Sequence, residues 1–267
     1  MEFARLSRRV VRFAALSMLL YLTLAPHTAL SQQPPLTLAS ALDRLGTEAA
    51  TLAHSLPSFT CQEDVTSQEL QHNKVVRSVT FTATLRARRG DDGKLSENFE
   101  FKTVNGRPLT GGFTMPANIE GGFSRALRYF APEQQACYRY TLSHTPTGDR
   151  IDFTAATHLS RGNACTTEGT SGFALLDAEG NITHLERHVS AKYSHIYREA
   201  PFAAIDFAPL LLNGNTYRIS RHLLADLANG GSVGRFEADY SGCKLFAATV
   251  TLGPAIEEPD ATPPPQQ

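Results

Sequence analysis

"VTFTATLRARRGDDGK" (Val79–Lys94) is the stretch that decides the fold. Val79, Phe81, Ala83, Leu85 and Ala87 alternate with Thr80, Thr82, Thr84, Arg86 and Arg88. A period of two puts the first set on one side of an extended chain and the second on the other, which describes a strand with one buried and one wet face. Sheets with a wet face are antiparallel, because parallel sheets carry helices on both sides. "GDDG" then supplies residues that tolerate a tight reversal. "ENFEFKTV" (Glu97–Val104) returns with Phe99 and Phe101 inward, and Asn105–Gly106 marks the next turn.

The same pattern extends outward along the chain. Strands are predicted at "CYRYTLSH", "DRIDFTAAT", "GFALLD", "NITHLERHVS", "AIDFAPLLL", "TYRISRHLLAD", "GRFEADYS" and "KLFAATVTL", separated by the turns "PTGD", "DAEGN" and "NGN". Upstream, Leu38, Leu42, Leu45, Ala49, Leu52 and Leu56 recur at steps of four and three, one apolar stripe of a helix that Pro57 ends. "LTGGFTMPANIEGG" (Leu109–Gly122) has no periodicity and reads as a mobile loop. Phe123, Leu127 and Phe130 then suggest a short second helix before Pro132. The fold class expected is mainly β (α+β): a curved antiparallel sheet or unclosed barrel of about ten strands with an N-terminal amphipathic helix and a short second helix.

The ends of the chain speak to location. Arg5, Arg8, Arg9 and Arg12 precede the uncharged run Phe13–Ala25, and "ALS" (Ala29–Ser31) supplies small residues for cleavage. Residues 1–31 therefore read as a signal peptide, 32–252 as a single half-barrel domain and 253–267 as a disordered Pro-rich tail. The expected location is exported, periplasmic or secreted. Removing residues 1–31 takes away four Arg and one Glu, so the net charge moves from −1 to −4. An acidic chain with no basic run is a poor partner for nucleic acid. No second apolar run follows the signal, so no membrane span is expected after cleavage. Cys61, Cys137, Cys165 and Cys243 form an even set in an exported chain, hence two disulfides with three connectivities. Pairing Cys137 with Cys165 closes the shorter loop and leaves Cys61–Cys243 to tie the first strand to the last.

Three patterns touch on catalysis. His184, Glu186 and His188 in "THLERHVSAKYSH" (Thr183–His195) stand two apart, as metal ligands on one strand face would. Side chains so spaced are roughly 6.5–7 Å apart, and Leu185 and Val189 occupy the opposite face, so the triplet reads as the wet side of a sheet and only a weak metal candidate. Ser171 in "EGTSGF" lacks the G-x-S-x-G elbow. The carboxylates Glu63, Glu100 and Glu237 would need to face one another to hydrolyse anything, while Asp91, Asp92, Glu257, Glu258 and Asp260 sit in a turn and the tail. No catalytic residue and no cofactor is assigned.

The segments "LPSFTCQEDVTSQ", "FKTVNGRPL", "EGGFSRALRYFAPE", "GFALLDAEGNITHLER" and "FEADYSGCKLFAATVTLGP" occur in an order that resembles uncharacterised exported proteins of acidobacterial type. The "YSGCKLF" ending differs from that pattern by placing Cys243 inside it. The strand order also resembles the lipoprotein-carrier half-barrel fold, in which an unclosed antiparallel barrel is plugged by helices. That resemblance implies a non-enzymatic protein of the cell envelope binding an apolar ligand, a lipid or a lipoprotein partner on the sheet's concave face. Phe113 and Met115 of the Gly-rich loop, with Leu45 and Leu52 of the helical stripe, are the candidate ligand-binding residues. The rival expectation is a secreted metal- or carboxylate-dependent hydrolase.

Overall fold

The computed structural model describes residues 36–119, 122–156, 165, 169–190, 200–229 and 231–246. The expected signal peptide and Pro-rich tail lie outside the described residues.

Helix α1 (Leu38–His54) opens the domain. Thr37 caps it reciprocally with Ser40: each side-chain oxygen accepts from the other residue's backbone N–H, at 3.1 and 3.2 Å. Ser40 thus does what Glu does in the usual capping box. Eleven strands follow: β1 (Phe59–Gln71), β2 (Lys74–Arg89), β3 (Leu95–Val104), β4 (Arg107–Pro108), β5 (Tyr138–Thr145), β6 (Gly148–Ala155), β7 (Thr170–Leu176), β8 (Ile182–Val189), β9 (Phe202–Leu212), β10 (Asn215–Asn229) and β11 (Ser232–Leu245). They form one antiparallel sheet in the order β4-β3-β2-β1-β11-β10-β9-β8-β7-β6-β5, not closed into a barrel. Every neighbouring pair is consecutive in the chain except β1 and β11.

Alternation selects the inner face. Phe59, Cys61, Glu63, Val65 and Ser67 of β1 and Val79, Phe81, Ala83, Leu85 and Ala87 of β2 are buried in step. The predicted turns Asn105–Gly106 and Asn213–Gly214 have positive φ at both residues, the geometry that matches strand twist; His72–Asn73 reverses β1 into β2 with the same conformation.

The helix stripe packs on this face, with Leu45 and Leu52 in the core. Arg89, at the inward end of β2, donates to the carbonyls of Leu52, Ala53 and Leu56. It thereby satisfies the orphan acceptors at the C-terminus of α1, where a cation is favoured.

Two expectations change in detail. Residues 123–130 make turns ending in one 3-10 turn, Arg128–Phe130, followed by a single helical turn, α2 (Pro132–Gln135). Eight residues after a Gly pair are too few to repay helix nucleation, and Pro132 starts a helical turn at its first position instead of ending one. The Gly-rich loop is also tied down. The buried Ser67 hydroxyl donates to the Ala117 carbonyl at 2.8 Å and accepts from the Ala117 N–H at 2.9 Å, while Glu97 accepts from the N–H groups of Gly122 and Phe123. "GRFEADYS" and the start of "KLFAATVTL" form one strand, β11, which passes through a bulge at Gly242–Cys243 opposite Cys61. Gly242 has φ +56, a conformation that glycine takes without a Cβ penalty. The bulge brings the Cα atoms of Cys61 and Cys243 to 4.1 Å, and these cysteines are bonded; Cys137 and Cys165 form the second disulfide.

Candidate ligand-binding cleft

Registration across five strands builds an apolar floor. Ala174, Leu185, Ile205, Leu223 and Ala238 lie side by side on β7 to β11. The next row reads Gly172, Arg187, Ala203 and Ala225. Small residues in that second row leave room above the sheet. Residues 118–119 and 122–129 face this floor, and between them lies a cleft of about 230 Å³.

Its rim is cationic. Arg125, Arg128 and Arg187 line the cleft, and no Asp or Glu is among the described lining residues. Tyr129 organises two of them: the guanidinium carbons of Arg128 and Arg187 lie 5.0 and 5.9 Å from its ring centre, within cation–π range. The Tyr129 ring is itself stacked on Phe153 at 5.3 Å. Phe153 reaches that position because Gly172 has no side chain; a Cβ there would stand 2.7 Å from the Phe153 ring and 2.1 Å from the Glu186 carbonyl oxygen. Arg187 Nη1 donates to the Ala200 carbonyl at 2.9 Å and Arg128 Nη2 to the Tyr129 hydroxyl at 3.1 Å.

A second polar group is buried elsewhere on the inner face. Glu63 is 1 % exposed, opposite Tyr240 on β11. Burial pushes its carboxyl up to about 7, and the nearby Glu97 and Asp64 add to the rise. The Tyr240 hydroxyl approaches closely enough to offset part of it, but the geometry falls short of a hydrogen bond, and both carboxyl oxygens lack a partner among the described residues. The Tyr240 phenol is raised in turn by its own burial and by Glu63. Phe123 packs edge-on against Tyr240 and Phe59.

The residues singled out from sequence are dispersed. Leu45 and Leu52 are buried on the inward side of α1, Phe113 packs between Phe81 and Phe101, and Met115 lies against the core. None of these four lines the cleft. His184, Glu186 and His188 occupy the outer face. His184 Nδ1 lies 2.6 Å from Asp206, and His188 Nε2 lies 2.8 Å from Glu186. In register with Asp206 comes His222, itself 2.9 Å from Asp239, so imidazoles and carboxylates alternate across β8 to β11. Among the described residues no group of three or more His, Cys, Asp or Glu is arranged to hold a metal ion. Glu100 and Glu237 are on the outer face with Arg86, Lys102 and His222, pointing away from Glu63. Ser171 pairs with His188 in the β7–β8 ladder.

Arg125, Arg128, Arg187 and Tyr129 were missed from sequence. Arg187 was discoverable: a strand that turns His184, Glu186 and His188 outward turns Leu185, Arg187 and Val189 inward. An inward arginine is the signal. Glu63 was legible in the same way, lying in step with Cys61 and Val65.

No protein-family model matches the sequence, and no curated protein sequence matches it. Among solved structures, the chain is similar to a LolA superfamily protein from Nitrosomonas europaea, with 8 % identity and TM-score 0.36 over 78 % of this chain and 94 % of that one. It is similar to a DUF1329 family protein from Desulfovibrio piger, with 10 % identity and TM-score 0.37 over 79 % and 94 %. A third likeness, at 10 % identity and TM-score 0.33 over 75 % and 90 %, is to a protein from Vibrio parahaemolyticus described as an outer membrane lipoprotein-sorting protein domain. Among the described residues no helix is long and apolar enough to cross a membrane.

Proposed function

We propose that this chain is a non-enzymatic binding protein of the cell envelope, exported to the periplasm or secreted, that holds an apolar ligand or the lipid of a lipid-bearing partner in the cleft between β8–β10 and residues 118–119 and 122–129. The observation that carries the reading is the cleft itself: Leu185, Ile205 and Leu223 form a continuous apolar floor with open volume above it. Apolar surface left accessible in a concavity gains free energy, roughly 25 cal/mol per Å², when a ligand covers it. Two disulfides support an oxidising compartment. The Gly-rich loop contributes by covering the inner face, anchored through Ser67.

The test fills the cleft. Ala203 projects from the floor, and the chain contains no Trp, so Ala203→Trp both occupies the volume and adds a fluorescent reporter. Wild-type protein is expected to bind the neutral dye N-phenylnaphthylamine with a rise in emission. A folded Ala203→Trp variant should lose at least about ten-fold in affinity, the effect of about 1.4 kcal/mol. Undiminished dye binding by that variant would place the ligand elsewhere.

A further inference from the structure

Away from the cleft, α1, the β7–β8 turn and β10 border a second cavity of about 250 Å³. Thr47, Glu48 and Thr51 of the helix line it, with Asn181 of the turn and Thr216 and Arg218 of the strand. Two opposite charges face this space without meeting. Arg218 Nη2 donates to Asp177 Oδ2 at 3.2 Å, its one hydrogen bond among the described residues, and a guanidinium has further N–H donors to offer. Asp177 is already saturated, because it also accepts from the N–H groups of Glu179 and Asn181 and from the Asn181 amide. Across the cavity, one carboxyl oxygen of Glu48 is shut away from water with no hydrogen-bond partner among the described residues. Arg218 and Arg44 both attract that carboxyl, yet burial wins and pushes it up to about 7. Arg44 is turned toward the β7–β8 turn instead, its guanidinium packed on the bare backbone of Gly180, where a Cβ would stand 2.7 Å from it.

The charges define what completes the arrangement. The groups acting on Glu48 are Arg218, Arg44 and Asp177, so with Glu48 ionised the cluster is neutral as a whole but polarised across the cavity. A lone cation meets two guanidiniums there, and a lone anion meets two carboxylates. An uncharged polyol leaves Glu48 desolvated without a counter-ion. A molecule carrying an ammonium and a carboxylate answers both ends, the carboxylate taking a forked pair of hydrogen bonds from Arg218.

We propose that this cavity binds a small zwitterion of the free α-amino acid class, its ammonium on Glu48, its carboxylate on Arg218 and its side chain against Leu52 and Tyr217. The volume, about 250 Å³, is below the roughly 300–1,000 Å³ of sites that enclose drug-sized molecules, which suits a single amino acid and is too small for a peptide. The site shares no described residue with the apolar cleft and stands or falls independently of it.

The experiment follows backbone amide resonances of the full chain at pH 7.5 during titration with L-leucine, with N-acetyl-L-leucine, which lacks the ammonium, and with L-leucinamide, which lacks the carboxylate. L-Leucine is expected to shift the amides of Thr51, Asn181 and Thr216 saturably, with an affinity about ten-fold or more above that of either analogue. Glu48→Gln and Arg218→Gln should each weaken leucine binding by about ten-fold. Should Arg218→Gln fail to fold, Arg218→Lys keeps the charge without the fork and should cost about three-fold. Wild-type affinity should fall at least about five-fold from pH 7.5 to pH 5.5 as Glu48 takes up its proton, and Glu48→Gln should remove that pH dependence. Binding of N-phenylnaphthylamine should be unchanged in Glu48→Gln, since the dye reads the other cleft. Equal affinity for leucine and both analogues overturns the zwitterion assignment. Absence of saturable shifts with leucine, or shifts confined to the β8–β10 cleft, overturns the site and leaves the apolar cleft standing.

Discussion

A carboxyl group buried opposite a tyrosine, with no cation beside it among the described residues, is more stable neutral than charged. Glu63 is in that position, and its titration moves from the ordinary 4.5 to about 7 in the fold, chiefly through burial. The folded state therefore binds this proton more tightly than the unfolded state does. Its contribution to stability is fully present below about 4.5, fades as the pH rises through about 7 and is absent above. A shift of this size corresponds to at most about 3 kcal/mol. Glu48 of α1 moves to about 7 in the same direction, again by burial, against the opposing pull of Arg218 and Arg44. Glu63→Gln should then melt at a higher temperature than wild type at pH 8, by the equivalent of about 1–2 kcal/mol. It should show no advantage at pH 4, with the slope due to Glu48 surviving in both proteins. Melting curves at both pH values decide it, and a variant that tracks wild type throughout rules out a titrating Glu63. Glu97 and Asp64 bear on the same carboxyl, so Asp64→Asn, at an exposed position of β1, offers a control with a smaller effect of the same sign.

At the scale of elements, the β7–β8 pair shows how a strand can serve packing and binding at once. Gly172 gives up its side chain so that Phe153 can lie over it, and Phe153 supports the Tyr129 ring that positions two guanidiniums. Gly172→Ala forces a Cβ against a main-chain oxygen that has no freedom to yield. We expect a loss of about 1–3 kcal/mol, the usual scale of overpacking, measured as a fall in the urea midpoint with unchanged slope. Ligand affinity should fall in the surviving folded protein as Tyr129 shifts. Retained stability would mean that the strands separate more easily than their ladder implies. Period-two alternation and the helical stripe were plain in the sequence because each records local burial. The site was not, because Tyr129 and Arg187 are 58 residues apart and only the sheet brings them together. Residues 123–130 misled for a related reason: Phe123 and Phe130 recur at helical spacing because each fills a separate gap, against Tyr240 and Phe153 respectively.

For the whole molecule, the seam between β1 and β11 joins the two ends of the strand succession into one sheet. Every other strand pair joins neighbours in the chain, whereas this ladder unites residues from Phe59 to Leu70 with residues from Val233 to Leu245. It therefore carries the largest chain-entropy cost of any pairing in the sheet. Cys61–Cys243 sits on that seam with a sequence separation of 182, and Cys137–Cys165 closes a separation of 28. In the loop-entropy model the first restricts the unfolded chain by about 5 kcal/mol and the second by about 3.5 kcal/mol, both upper bounds on what is realised. Cys61→Ala/Cys243→Ala should accordingly lower the urea midpoint more than Cys137→Ala/Cys165→Ala. Because Glu63 lies two residues beyond Cys61 on the same inward row, opening the seam also admits water to it. The seam variant should therefore lose part of the acid-side stabilisation that the intact protein shows between pH 8 and pH 4, whereas the other disulfide variant keeps it. If both pairs of substitutions cost the same and leave the pH dependence alike, the β1–β11 ladder holds the seam by strand pairing without its covalent tie.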